Sequence, residues 1–105
     1  MVAYVVLTRE RVRDHKGLET YSSKVPATFA GHAVTARVVF GRHEILEGAE
    51  VDGMAILEFP TFELAKAWYN SPAYQEAAAY RFKAADFRCM IIEGLRSGSR
   101  LDTGA

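Results

Sequence analysis

Arg81, Glu58 and three aromatic side chains, Trp68, Tyr69 and Tyr74, are the residues of this chain best equipped for chemistry. Arginine carries a rigid fork of donors, so Arg81 suits a carboxylate or an enolate. Its plainer role is an ion pair with Glu76, Glu58 or a helix end. Glu58 interrupts the apolar run Met54-Ala55-Ile56-Leu57-Glu58-Phe59. A carboxyl buried there rises in pKa and becomes an acid or base, whereas a partner such as Arg81 holds it charged. Indole and phenol groups join apolar area to a hydrogen-bonding end, as an aromatic or conjugated ligand requires. The same three rings serve equally well as anchors for helices on a sheet.

His43 and Glu58 are the candidate proton-transfer groups, since imidazole titrates near neutral pH. His32 shares that chemistry. His15, His32 and His43 fall near turns or element ends and have no metal-ligand spacing, so no metal is expected. Cys89 alternates with Phe87 and Ile91, which reads as packing. Ser22-Ser23, His32 and Asp52 make no recognisable nucleophilic triad. No phosphate-cradling glycine loop and no dinucleotide fingerprint occurs, so no cofactor is expected either.

The elements that must position these groups follow from hydrophobic period. Val2 to Thr8 reads as a strand with two apolar faces. Asp14 can cap a helix whose stripe is Leu18, Tyr21 and Val25, with Pro26 kinking or ending it. Ala33 to Phe40 is a second strand and Gly41-Arg42 a turn, with a short returning arm over His43 to Leu46. Met54 to Phe59 is the third strand. Thr61 then caps one helix, and Ser71-Pro72 restarts another through Tyr74, Ala77-Ala78 and Arg81. Phe87 to Glu93 closes the pattern. Residues 1–94 form a single domain, and 95–105 read as a mobile tail.

Strand, helix, two strands, helix pair, strand is the order of a βαββαβ ferredoxin-like sandwich, an α+β fold with helices on one sheet face. Apolar residues on the other face, notably Val6, Ile56 and Ile91, imply a second layer, most economically a homodimer through the open sheet face. The 105 residues, 50% hydrophobic, suit a single domain. Thirteen basic residues balance thirteen acidic ones, which argues against a nucleic-acid partner. No apolar run approaches the roughly 20 residues that cross a bilayer, and no signal peptide is visible. A lone cysteine suits the cytoplasm.

From Glu58-Phe59-Pro60-Thr61-Phe62-Glu63 through Trp68-Tyr69-Asn70-Ser71-Pro72-Ala73-Tyr74, the chain resembles the DUF1330 family of small bacterial proteins. That family's pattern is similar to E-F-P-S-F-E-x-A-x-x-W-Y-x-S-x-x-Y. Arg81 falls on the family's arginine position, Ile91-Ile92-Glu93-Gly94 on its V-x-E-G strand, and Glu44 to Gly48 on its E-V-L-E-G element. The resemblance spans about residues 2 to 94. It implies a dimeric α/β barrel, formed by packing of two sheets from ferredoxin-like subunits. The chain departs from the family at Ala30-Gly31-His32 and Phe40-Gly41-Arg42, where the family often has paired glycines.

Two functional readings stand. In the first, the chain is a cofactor-independent enzyme acting on a small organic substrate. Trp68, Tyr69 and Tyr74 contact that substrate, Arg81 stabilises its negative charge, and His43 or Glu58 moves a proton. In the second, it is a noncatalytic small-ligand-binding or stress-associated accessory protein using the same cleft.

Overall fold

The computed structural model describes residues 1–95. Its elements are β1 (Ala3–Val12), α1 (His15–Thr28), β2 (Thr35–Val39), β3 (Gly53–Phe59), α2 (Phe62–Tyr69), α3 (Pro72–Ala84) and β4 (Ala85–Glu93). All strands pair antiparallel in the order β2-β3-β1-β4, which is the ferredoxin-like arrangement. Strand alternation sorts the side chains. Ala3, Val5 and Leu7 of β1 and Ala55, Leu57 and Phe59 of β3 are buried under the helices. Tyr4, Val6, Met54, Ile56 and Glu58 alternate with them and point to the uncovered face.

The sheet is not closed into a barrel, so the barrel implied by the family resemblance is corrected. β2 and β4 are both edge strands, kept apart by β3 and β1. Barrel interiors filled by side chains take about eight strands; four twisted strands do not curl far enough to meet. A second correction concerns parity on β4. Ile91 pairs with Val5 and packs on the helix-covered core, while Met90 and Ile92 occupy the open face. Both faces of that strand are apolar, so hydrophobicity alone did not separate them.

Local departures have local causes. β1 runs to Val12, past the apolar run, because a bulge between Arg9 and Arg11 lets it keep pairing with β4 as far as Ala85. α1 passes through Pro26 without ending there. Proline there removes the N–H that would reach the Ser22 carbonyl and crowds that carbonyl, a cost confined to the last turn because the helix ends two residues later. Asp14 is the N-cap of α1 in backbone terms, although its side chain makes no capping bond. No strand forms over His43 to Leu46; residues 40–52 are irregular. The expected tail lies, apart from Leu95, outside the described residues. No helix among the described residues is long and apolar enough to cross a membrane.

The caps that seat α2 and α3 are regular. Thr61 Oγ1 accepts from the Leu64 N–H at 3.1 Å. Ser71 Oγ accepts from the Tyr74 N–H at 3.2 Å and donates to the Trp68 carbonyl at 2.7 Å. One hydroxyl thus ends α2 and starts α3. α1 and α3 approach closely at Gly17, where an added Cβ would lie 3.0 Å from the Ala84 Cβ.

Candidate functional site

The stripe Leu18, Tyr21, Val25 turns one side of α1 toward the sheet, and its Tyr21 meets Tyr74 of α3. Their hydroxyls are 2.8 Å apart and both are buried. Arg81 lies two turns beyond Tyr74 on the same helix face, where side chains seven apart align. Only 3% of Arg81 is exposed. Its guanidinium carbon stands 4.9 Å from the Phe87 ring centre, 4.9 Å from that of Phe82 and 5.8 Å from that of Tyr21.

No carboxylate among the described residues reaches this cation. The ion pairs among the described residues are Arg9–Asp52, Arg13–Asp86, Arg37–Glu58 and Arg88–Glu10. The Arg81 Nε and Nη2 atoms are buried without a hydrogen-bond partner. Such a group normally costs on the order of 1–3 kcal/mol, more when charged, so its retention calls for a reason.

Burial pushes the Tyr21 phenol far above its ordinary range, with the Tyr74 hydroxyl adding to the effect. Burial also raises Tyr74, against the opposing pull of Arg81. Both phenols therefore stay protonated near neutral pH and act as neutral donors rather than bases. Burial works against the Arg81 charge, but the two tyrosines beside it offset that and leave its pKa above the usual value. Burial likewise raises the Cys89 thiol, with Arg81 opposing, so Cys89 is no ready nucleophile.

Trp68 is fully buried at the end of α2. Its indole N–H donates to Thr28 Oγ1 at 3.0 Å, and Thr28 in turn donates to the Val25 carbonyl at 2.7 Å. The indole packs 4.1 Å from the Tyr74 ring centre, 5.5 Å from Phe59 and 5.7 Å from Phe29. Beside this aromatic stack lies a cavity of about 240 Å³ between α1 and the sheet. Tyr21, Phe29, Leu57, Trp68 and Phe87 line it, with Phe40 from the end of β2. Arg81 stands behind that wall, screened by Tyr21 and Phe87.

The candidate residues thus fall into two groups. Trp68 lines the cavity, while Tyr74 packs on Trp68 and bonds to Tyr21, and Arg81 stands against Tyr21 and Phe87, without either lining it. Tyr69 packs its ring 5.4 Å from that of Tyr74 without joining the wall. Glu58 and His43 lie elsewhere. Glu58 is on the uncovered sheet face, where its Oε1 accepts from Arg37 Nε at 3.1 Å. His43 is exposed in the β2–β3 connection, donating from Nε2 to the Val51 carbonyl at 3.0 Å. Neither lines the cavity, and Arg81 pairs with neither Glu58 nor Glu76. Among the described residues no three His, Cys, Asp or Glu side chains group to hold a metal ion.

Tyr21, Thr28, Phe40 and Phe87 were not singled out in the sequence as site residues. Tyr21 did carry a signal, being a polar-tipped residue inside an otherwise apolar helical stripe. Its partner, however, lies 53 positions away.

Fold and site together define a small ferredoxin-like α+β protein with a buried arginine–tyrosine cluster beside an apolar cavity. The chain belongs to the family described as a domain of unknown function, DUF1330, whose sequence profile matches residues 2–95. No curated protein matches it. The solved structures similar to it include RPA0582, a protein of unknown function from Rhodopseudomonas palustris. The identity is 19% and the TM-score 0.68, covering 90% of this chain and 83% of that one. A dimeric protein of unknown function with a ferredoxin-like fold from Bacteroides fragilis is 13% identical, TM-score 0.59, covering 89% and 96%. SnoaB, a cofactor-independent oxygenase from Streptomyces nogalater, is 13% identical, TM-score 0.56, covering 94% and 97%. At these identities the likeness is one of fold.

Proposed function

We propose that the chain binds a small, largely apolar organic molecule bearing one oxygen able to take negative charge. The buried guanidinium of Arg81, its Nε and Nη2 without hydrogen-bond partners, behind the Tyr21–Tyr74 hydroxyl pair carries this reading. If Tyr74 donates to the Tyr21 oxygen, the Tyr21 proton is free to meet a ligand oxygen. The cation behind the pair then strengthens that bond in surroundings of low dielectric. A cavity of about 240 Å³ exceeds the roughly 150 Å³ that takes benzene, leaving room for one ring and a few further atoms.

Two uses of such a complex are consistent with the chemistry. As a cofactor-independent enzyme, the protein would hold its substrate as the enolate or phenolate that reacts with dioxygen, Tyr21 donating to the oxyanion and Arg81 supporting it from behind. The ferredoxin-like fold shared with SnoaB supports this by analogy. As a noncatalytic ligand-binding or accessory protein, it would need only the binding step. The cavity wall supports this reading in that its described residues offer apolar contact and the Tyr21 hydroxyl, with no carboxylate or imidazole among them. His43 and Glu58 could take part only from outside it.

Two copies are proposed to pair through the uncovered sheet face, where Val6, Ile56, Met90 and Ile92 are apolar. Ile92 is 59% exposed and Met90 39%. We place the protein in the cytoplasm, where the Cys89 thiol stays reduced.

Trp68 is the sole tryptophan and lines the cavity, so its emission reports occupancy. Titration with benzoate and with benzyl alcohol, its neutral counterpart, is expected to perturb Trp68 and to favour benzoate. Arg81→Met is expected to remove that preference, weakening benzoate by about tenfold or more while leaving benzyl alcohol within about twofold. Its melting temperature should hold or rise, because a buried charge without a counter-ion is lost. Absence of any Trp68 response, or a benzoate preference that survives in Arg81→Met, overturns the reading. Oxygen uptake with 1,4-dihydroxynaphthalene, lost in Tyr21→Phe, would favour the enzyme; binding without uptake favours the accessory protein.

A further inference from the structure

Phe40 is the one non-glycine residue with positive φ among those described, at 52°. An aromatic side chain is disfavoured in that region and persists there only when its surroundings hold it. Three contacts do so. Its N–H donates to the Met54 carbonyl at 2.7 Å, continuing the β2–β3 ladder by one rung. The Arg9 guanidinium carbon stacks 4.2 Å from its ring centre, and Arg9 Nε is held by Asp52 Oδ2 at 2.6 Å. The ring also lies on Gly53, where an added Cβ would stand 2.7 Å from Phe40 Cδ1. Phe40 lines the cavity and yet is 36% exposed, so its ring spans the boundary between cavity and solvent.

We propose that Phe40 is the specificity-determining gate of the cavity, its ring fixing how long a ligand the site accepts at the β2 end. This rests on the reading that the cavity is a ligand site. The left-handed backbone turns the ring inward across the opening instead of letting it follow the strand outward. Arg9 and Gly53 form the jaws that keep it there. The compounds selected are short ones, a single ring with a small substituent, and longer apolar tails are turned away by the ring.

The test is a series of 4-alkylbenzoates, from benzoate to 4-hexylbenzoate, titrated by isothermal calorimetry against three proteins: wild type, Phe40→Gly and Phe40→Trp. Phe40→Gly removes the ring and suits the positive φ, so it keeps the fold on backbone grounds. In the wild type affinity is expected to rise with the first carbons and then stop. In Phe40→Gly it should continue to rise by about fourfold per added methylene, and this slope, not the affinity for benzoate itself, is what the comparison reads. Phe40→Trp should move the limit to shorter chains. A wild type that binds benzoate with the same length profile as Phe40→Gly and Phe40→Trp overturns the gate and leaves the site standing. Failure of every benzoate to bind any of these proteins overturns the ligand site and the gate with it.

Discussion

Arg81 and Glu58 look like natural partners in the sequence, a buried-type arginine and a carboxylate inside an apolar strand. Strand parity separates them: Leu57 and Phe59 face the helices, so Glu58 faces away and takes Arg37 instead. Arg81 is left with two tyrosines. The residue types were therefore legible, and their pairing was not, because it depends on which face of β3 the helices cover. The tyrosine pair gives a prediction with a definite sign. Both folded-state pKa values lie above the roughly 10 of an unfolded tyrosine. Stability from the pair is complete below that pH and falls as pH rises beyond it, since the unfolded chain then holds fewer protons. Thermal melts across alkaline pH should fall by up to about 1.4 kcal/mol per pH unit for each phenol. Cys89, also raised by burial, adds a decline starting nearer 8.5. Tyr21→Phe and Tyr74→Phe should each flatten the alkaline limb; an unchanged slope in both would show that the pair does not titrate with unfolding.

At the scale of elements, capping chemistry was the most readable part of the chain. Thr61 and Ser71-Pro72 mark the starts of α2 and α3 because a hydroxyl before orphan amides and a proline at the first turn are local facts. The ends of β1 were less readable. Arg9, Glu10 and Arg11 near its end are charged, and they remain in the strand because β4 is there to pair with it. The His43–Leu46 arm, expected to return after the Gly41-Arg42 turn, shows the reverse case, a short segment with no neighbouring strand to hold it. Ser71 bridges two helices through one oxygen, so Ser71→Ala should cost more than Thr61→Ala. About 1–2 kcal/mol is expected for Ser71→Ala, against about 1 kcal/mol for Thr61→Ala. Urea denaturation of the two variants checks the order, and equal losses would mean that the Trp68 carbonyl bond contributes nothing.

For the whole molecule, the order of elements was enough to name the sandwich, and the apolar open face was enough to expect a second layer. Closure of a barrel went beyond what four strands provide. The dimer proposed through that face predicts a mass. Light scattering at micromolar concentration should give twice the chain's 11.7 kDa. Ile56→Glu, placed where the side chain points away from the helices, should halve that mass while circular dichroism stays unchanged. A wild-type monomer at that concentration would remove the pairing altogether.

The central position of β1 has a consequence for how the molecule is made. Ala3 pairs with Phe59 on one side and with Glu93 on the other. During synthesis the first strand leaves the ribosome with neither neighbour available, and its second edge stays open until residues beyond Ala85 have emerged. Closing so long a loop is slow, and an unpaired apolar strand is in the meantime exposed to association with other chains. The Arg9, Arg11 and Arg13 run at its end places positive charge beside that waiting edge, where like charges keep nascent copies apart.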